Sequence, residues 1–412
     1  MDSQTTVQSW LTSRRLRVHG LILALCLWLT YAWILSSPGL LDRNHIVKGA
    51  DFLHFYTLGW LAREHRGAQL YDMPAQTALI QQNLPQLGPI RFVPLYGPQV
   101  SLFFVPFSKL PYPWALGGWL LLNAAIYAAC CYAVWKTCPS LQFQGMLVSI
   151  LALGYPAFFH LIAWGQSSGL ALACFTGAYL AMRSQRPFLA GLAFGCLIFK
   201  PQLGLAAAVV LVGSGEWMVA FGALLAALAQ LSVGWIYYGT PAMRDYFYQL
   251  AHVRNVFSQL EPRPYQMHSL RSFWATLIPS QQIAFPLYIA SAIAVLAMAL
   301  YCWRRRVPLA VRFAALLIAT VLVSPHLTVY DLVILAPAYL LLADWTIANN
   351  RPCAPLFGML LYLGYMLPLL GPLSIWTHLQ LSVPVMAGIL WLIFRVAESR
   401  NENVSQPVPA QI

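Results

Sequence analysis

Residues 283–303 read IAFPLYIASAIAVLAMALYCW and run directly into Arg304, Arg305 and Arg306. No charged side chain interrupts the apolar stretch. Its length matches the roughly 20 residues a helix needs to cross the hydrocarbon layer. A helix satisfies its backbone hydrogen bonds internally, which a lone strand in lipid cannot do. The arginines that follow mark the cytoplasmic end of the span. Similar blocks recur on both sides of this one, at 21–35, 114–135, 147–160, 168–182, 188–212, 217–237, 313–324, 332–345, 357–370 and 383–394. The block at 188–212 is expected to bend out and back around Lys200-Pro201, so the count is eleven or twelve spans. The short alternating strands of an outer-membrane barrel are absent. The expected fold class is an all-α integral membrane bundle.

Composition agrees. The 412-residue chain is 59% hydrophobic and 9% charged, whereas a soluble domain carries about 25% charged residues. Its formal charge of +12 comes from basic residues scattered singly between apolar blocks. They line no one face, so nucleic acid is not an expected partner; membrane lipids are. The eight cysteines include no Cys-x-x-Cys pair, and Cys26, Cys130, Cys131, Cys174, Cys196 and Cys302 fall inside apolar blocks. They read as small buried hydrophobes, not as a disulfide or zinc framework. Arg14, Arg15 and Arg17 ahead of the first block resemble the start of a signal peptide. Ser36-Ser37-Pro38-Gly39 after it lacks a small-x-small cleavage site, so the block is read as an uncleaved first span with residue 1 inside.

That orientation places two long polar stretches, 42–91 and 240–273, outside. Eight of the nine histidines, all but His19, then fall on the outer side. So do Asp42, Asp51, Glu64, Asp72, Asp245, Glu261 and Asp331. A transporter is expected to keep ionisable groups near the midplane. Here they collect at one interface, as expected for a surface-facing active site in a plasma (inner) membrane protein. The membrane domain is expected over residues 1–398, with a polar, disordered cytoplasmic tail over 399–412.

The first outer loop carries Lys48-Gly49-Ala50-Asp51-Phe52-Leu53-His54-Phe55-Tyr56. Phe52, Phe55, Tyr56 and Trp60 recur at helical spacing and make an apolar face. Asp51 and His54, three apart, share a neighbouring face. Aromatic residues at this density predict an amphipathic juxtamembrane helix in the headgroup layer. Leu70-Tyr71-Asp72 begins a second such helix after Gly67. On pattern alone Asp51 is either a functional carboxylate or an N-cap.

The stretch from Ala50-Asp51-Phe52 to Tyr71-Asp72 resembles the first extracytoplasmic loop of glycosyltransferase family 87. These are polyprenol-phosphate-mannose-dependent α-mannosyltransferases of the GT-C superfamily. Further matches follow in the family's order. Residues 94–106 resemble its Pro-rich segment, and Gly165-Gln166 its Gly-Gln motif. Gly191 to Lys200-Pro201 resembles its Gly-rich span ending in Lys-Pro. Gln266-Met267-His268-Ser269-Leu270 resembles its Asn-Gln-Ser-Leu element but departs from it at His268. Ser324-Pro325-His326, with Tyr330-Asp331, resembles its late Ser-Pro motif. The resemblance spans residues 20–340. It implies a GT-C type bundle that passes a sugar, mannose in the family, from a polyprenyl-phosphate donor to a glycolipid or glycan acceptor hydroxyl. The transfer takes place outside the cytoplasm, inverts the anomeric centre and uses no cofactor.

One-step inversion needs a base at the acceptor hydroxyl and cations around the leaving phosphate. Asp51 matches the family's loop aspartate and is the candidate base, with Lys48 near in sequence. Lys200, within an apolar run, is either a phosphate ligand or a snorkelling lysine. Arg91, Arg263 and Arg271 are phosphate candidates because a guanidinium offers two parallel donors; the alternative is a solvated or headgroup-bound arginine. His326 is a phosphate or sugar contact, or a structural histidine. His54, His268 and Asp331 are candidates for sugar or acceptor contacts. Gln166 lines the site as donor and acceptor, or caps a helix. Tyr71-Asp72 shapes the second loop helix. The loop reads Asp51-Phe52-Leu53-His54 and not Asp-x-Asp, so no metal is expected. The Pro-rich stretch 94–111 is too short for a full span and reads either as a re-entrant or interfacial segment with a groove for the polyprenyl tail, or as ordinary helix packing of its aromatic residues. Two other functions fit parts of the pattern. One is a flippase or transporter of a polyprenyl-linked glycan. The other is an oligosaccharide ligase or polymerase drawing on a diphosphate carrier.

Overall fold

A computed structural model of the chain describes residues 11–261, 263–305, 307–349 and 354–405. Among them the regular structure is helical, with two isolated antiparallel bridges, Leu41 to Val47 and Met267 to Thr328, and no strand. This is an all-α integral membrane fold. Among the described residues, seven helices are long and apolar enough to cross a membrane: Ser13–Leu35, Tyr112–Trp135, Trp217–Ala251, Gln281–Arg304, Val329–Asn349, Ala354–Thr377 and Ser382–Ser399. Pro139–Leu153 and Pro156–Trp164, bent by 46°, make an eighth as a broken pair.

Three further apolar helices are short: Pro187–Phe199, Pro201–Gly213 and Leu309–Val323. This is where the observed count departs from eleven or twelve. At 1.5 Å per residue they reach only about 20–23 Å, less than the hydrocarbon thickness of about 30 Å. Pro187–Phe199 and Pro201–Gly213 still expose apolar side chains such as Leu189, Leu205 and Val209. Leu309–Val323 is buried from Phe313 to Val323 without interruption. The break at Lys200-Pro201 is present, with Lys200 at φ −133° and ψ 70°, since a residue before proline is driven out of the α region. The last helix spans Ser382–Ser405. Arg306 and residues 406–412 lie outside the described residues.

The helix Ala50–Arg63 leaves no face open to lipid, because every residue from Phe52 to Ala62 is buried in the protein. Phe52 stacks on Trp119 at 6.1 Å, and Phe55 on Phe104 at 4.8 Å. His54 and Thr57, which would have made a wet face, are buried as well. The Pro-rich stretch folds back beneath this helix as two short helices, Pro98–Phe103 and Val105–Ser108. The second loop helix, Met73–Asn83, starts at Asp72, whose carboxylate accepts from Ala75 N–H at 3.0 Å.

Basic loops gather at one end of the bundle. Trp303 Nε1 donates to Glu216 Oε1 at 3.2 Å, and Arg304 Nε to Gly213 O at 3.1 Å. Asp344 accepts from Ser140 N–H at 2.7 Å. On the same helix as Arg304, Phe285 lies nineteen residues earlier, about 28 Å away along the axis. Phe285 lines the cavity described next. Cavity and basic loops are thus separated by a membrane's thickness.

Candidate active site

Two glycines set the carboxylate in place. Gly49 starts the Ala50–Arg63 helix with a left-handed φ of 66°, and a Cβ there would lie 2.3 Å from Leu116. Gly165 ends the Pro156–Trp164 helix at φ 67°, and a Cβ there would lie 2.8 Å from Phe52. Both left-handed conformations favour glycine, and at Gly165 the Cβ of Phe52 also leaves no room for a side chain. The contact brings Gln166 against Asp51. Asp51 is therefore the second residue of its helix and not the cap. Gln166 Nε2 donates to Asp51 Oδ2 and to the Tyr330 hydroxyl, each at 3.1 Å. Ser167 N–H and Oγ reach Gln166 Oε1 at 2.7 and 3.1 Å. A backbone N–H can only donate, so the amide oxygen stays on that side and its NH₂ faces the carboxylate.

A second group surrounds Asp331. Its Oδ1 accepts from Lys200 Nζ at 2.8 Å and from Ser168 Oγ at 2.6 Å. Lys200 also donates to Ser168 Oγ at 2.9 Å. The Oδ2 atom accepts from Thr328 N–H at 3.2 Å and its hydroxyl at 3.1 Å, a capping box on the Val329–Leu335 turn. Lys200 and Asp331 are only 4% and 1% exposed. Lys200 has therefore not snorkelled to water; its charge is met inside the protein. The ammonium lies 5.2 Å from the centre of the Tyr330 ring.

A third group forms where the second outer stretch meets the turn before Val329. The Met267–Thr328 bridge and a 3.1 Å bond from His268 N–H to Leu327 O join the two. Ser269 then caps Leu270–Leu277, and Arg271 in its first turn reaches Glu261 and the Pro325 carbonyl. Glu261 Oε1 lies 3.0 Å from His326 Nδ1. Burial pushes the Glu261 carboxyl up, but His326 and Arg271 outweigh it and hold it below the usual carboxylate range.

Asp51, Gln166, Lys200, Asp331, Arg271, His326 and Tyr330 all line one cavity of about 900 Å³, together with His54, Arg91 and Arg254. That volume lies in the range of small-molecule sites. Leu250, Leu260, Phe285 and Tyr288 make one wall apolar. Two of the expected residues stand apart. Arg263 lies over the Trp164 ring at 5.0 Å. His268 is fully buried, 2.7 Å from Ser382 Oγ, and burial pushes its pKa down to about 3. Neither lines the cavity. His54 stacks on Phe92 at 4.8 Å, and burial lowers its pKa to about 3, so it offers a neutral imidazole. Lys48 is not beside Asp51 either; its ammonium donates to the Ser37 and Gly39 carbonyls at 2.6 and 3.0 Å.

The electrostatics divide cleanly. Lys200 and Asp331 cancel, and Glu261 offsets Arg271. Arg91 and Arg254 make no ion pair among the described residues. With Asp51 ionised and His326 left aside, the site carries one net positive charge. Burial raises the Asp51 pKa to about 6, against the opposing pull of Gln166 and Lys200. It is still mostly ionised at neutral pH.

Glu261, Arg254, Ser168 and Tyr330 were not among the expected site residues. Tyr330 was in view within the Tyr330-Asp331 pair, and Glu261 among the outer acids. Arg254 and Ser168 carry no signal in the sequence, since only packing across elements brings them to the cavity.

A model of glycosyltransferase family 87 matches residues 95–325, more than half of the chain. No curated protein and no solved structure matches it. The match covers Gln166, Lys200, Arg254, Glu261 and Arg271. It begins after the loop that carries Asp51, so the place of that carboxylate rests on geometry.

Proposed function

Because the chain belongs to glycosyltransferase family 87, we propose that it passes a sugar from a polyprenyl-phosphate donor to an acceptor hydroxyl, with Asp51 as the base. Mannose is the sugar that the family resemblance suggests, and a glycolipid or glycan is the acceptor. One observation carries the reading: a single available carboxylate shares a cavity with cations whose surplus is one charge. A polyprenyl-phosphate sugar is a phosphodiester with one negative charge, so the surplus matches it.

In this reading the donor phosphate lies among Arg271, His326, Arg91 and Arg254. Leaving-group charge grows there as the glycosidic bond breaks, and preorganised donors stabilise it. Lys200 acts at shorter range on Asp51, since its own charge is already met by Asp331. Gln166 ties up Asp51 Oδ2 and leaves Oδ1 to take the proton of the attacking hydroxyl. The apolar wall suits the lipid tail. The gathering of basic loops a membrane's thickness away supports a site on the extracytoplasmic face of the plasma membrane, by the rule that short basic loops stay inside.

The test is direct. Purified protein is given β-mannosyl phosphoryl polyprenol and a panel of glycolipid acceptors, with no nucleotide sugar. An α-linked product is expected. Transfer only from a diphosphate-linked glycan would remove the donor assignment. Movement of the lipid across a bilayer with no new glycosidic bond would remove the reaction.

A further inference from the structure

Glu261 has no part in the transfer just described, yet it is bound on two sides by groups that line the cavity. Its Oε2 meets Arg271 and its Oε1 meets His326 at 3.0 Å. Its side chain is 13% exposed, and it stands behind these two, outside the cavity lining. Arg271 is held a second time, by the Pro325 carbonyl. The guanidinium and imidazole are therefore fixed in direction, and part of their charge is spent on a protein carboxylate.

We infer that Glu261 is a specificity-determining residue that restricts the phosphate subsite to a monophosphate-linked lipid and rejects a diphosphate-linked one. The inference rests on the polyprenyl-phosphate reading above. A second phosphate group brings a further negative charge close to the Glu261 carboxylate. Arg91 and Arg254 alone do not offset it, because Asp51 must stay ionised. In a partly desolvated site such a mismatch is worth on the order of tenfold in affinity. The residue acts through Arg271 and His326, so it is a positioning and charge-setting group and not a catalytic one.

The experiment measures direct binding of short-chain mannosyl phosphoryl polyprenol (one negative charge) and the corresponding mannosyl diphosphoryl polyprenol (two) to the detergent-purified full chain, for wild type, Glu261→Gln and Glu261→Asp. Wild type is expected to favour the monophosphate. Glu261→Gln, nearly isosteric but neutral, is expected to narrow that preference about tenfold or reverse it. Glu261→Asp keeps the charge and is expected to keep the preference even if both affinities fall. An unchanged ratio in Glu261→Gln, with both ligands bound, overturns this inference and leaves the reaction standing. Failure of wild type to bind either lipid overturns both. Should Glu261→Gln be too unstable to purify, the preference in wild type and Glu261→Asp decides: no preference in either sinks the idea.

Discussion

Two aspartates line the same cavity and live in opposite surroundings. Every oxygen of Asp331 is committed, to Lys200, Ser168 and Thr328, and the residue is almost fully buried. Asp51 has one bond, from the neutral amide of Gln166, and keeps part of its surface open. A carboxylate whose lone pairs are filled by a cation and three donors cannot accept a proton cheaply. One that is desolvated, weakly bonded and raised to about 6 can. The difference separates a group that builds the site from one suited to react in it.

The sharpest way to break this contrast is Asp51→Asn. It should lower the transfer rate about 10³-fold, within the range of a lost general base, while the anionic donor still binds at least as tightly, because a negative charge has been removed from its cavity. Its thermal stability should not fall. The raised pKa means that Asp51 favours the fold most when protonated, below about pH 4, and loses that contribution as pH rises through about 6. A neutral amide keeps it at every pH. Activity near wild type in this variant would show that the two aspartates have been assigned the wrong way round.

Asp331→Asn is expected to do the reverse, acting first on stability. It leaves the Lys200 ammonium buried without a counter-charge, which costs about 3–5 kcal/mol. Thermal unfolding in detergent should show a clearly lower midpoint. Replacing both partners, Lys200→Met with Asp331→Leu, should recover much of the loss. A midpoint unmoved in Asp331→Asn would mean that water already reaches the pair.

A finer test is the pH profile. Transfer should fall as pH drops through about 6, where Asp51 takes up a proton. The Gln166 bond favours the charged form, so Gln166→Leu should move that acid limb to higher pH and lower the neutral-pH rate roughly tenfold, an ordinary charge-assisted hydrogen bond. A rate loss with no shift of the limb would make Gln166 a substrate contact. The smallest effect belongs to His268→Gln. Away from the cavity, it should leave donor KM within about twofold of wild type, a difference below 1 kcal/mol.

Much of this was legible along the chain. The uninterrupted apolar block at 283–303 already meant membrane helices, and the break at Lys200-Pro201 follows from two adjacent residues. Gly165-Gln166 showed as a motif, though not why it needs a glycine; that depends on Phe52, more than a hundred residues away. The helix Ala50–Arg63 shows the limit most clearly. Its aromatic spacing reads the same whether lipid or protein covers it, and only the packing of Trp119 and Phe104 tells which.

The sequence alone determined what the solvent dictates: helices, because a bilayer offers no hydrogen bonds, and charge kept largely outside the apolar blocks, because ionised groups avoid hydrocarbon. Tertiary structure decided which charges meet. Lys200 found Asp331 and Arg271 found Glu261, and Asp51 was left with an amide. Such pairings depend on distances of a few ångströms between elements far apart in the chain, and residue order carries no record of them.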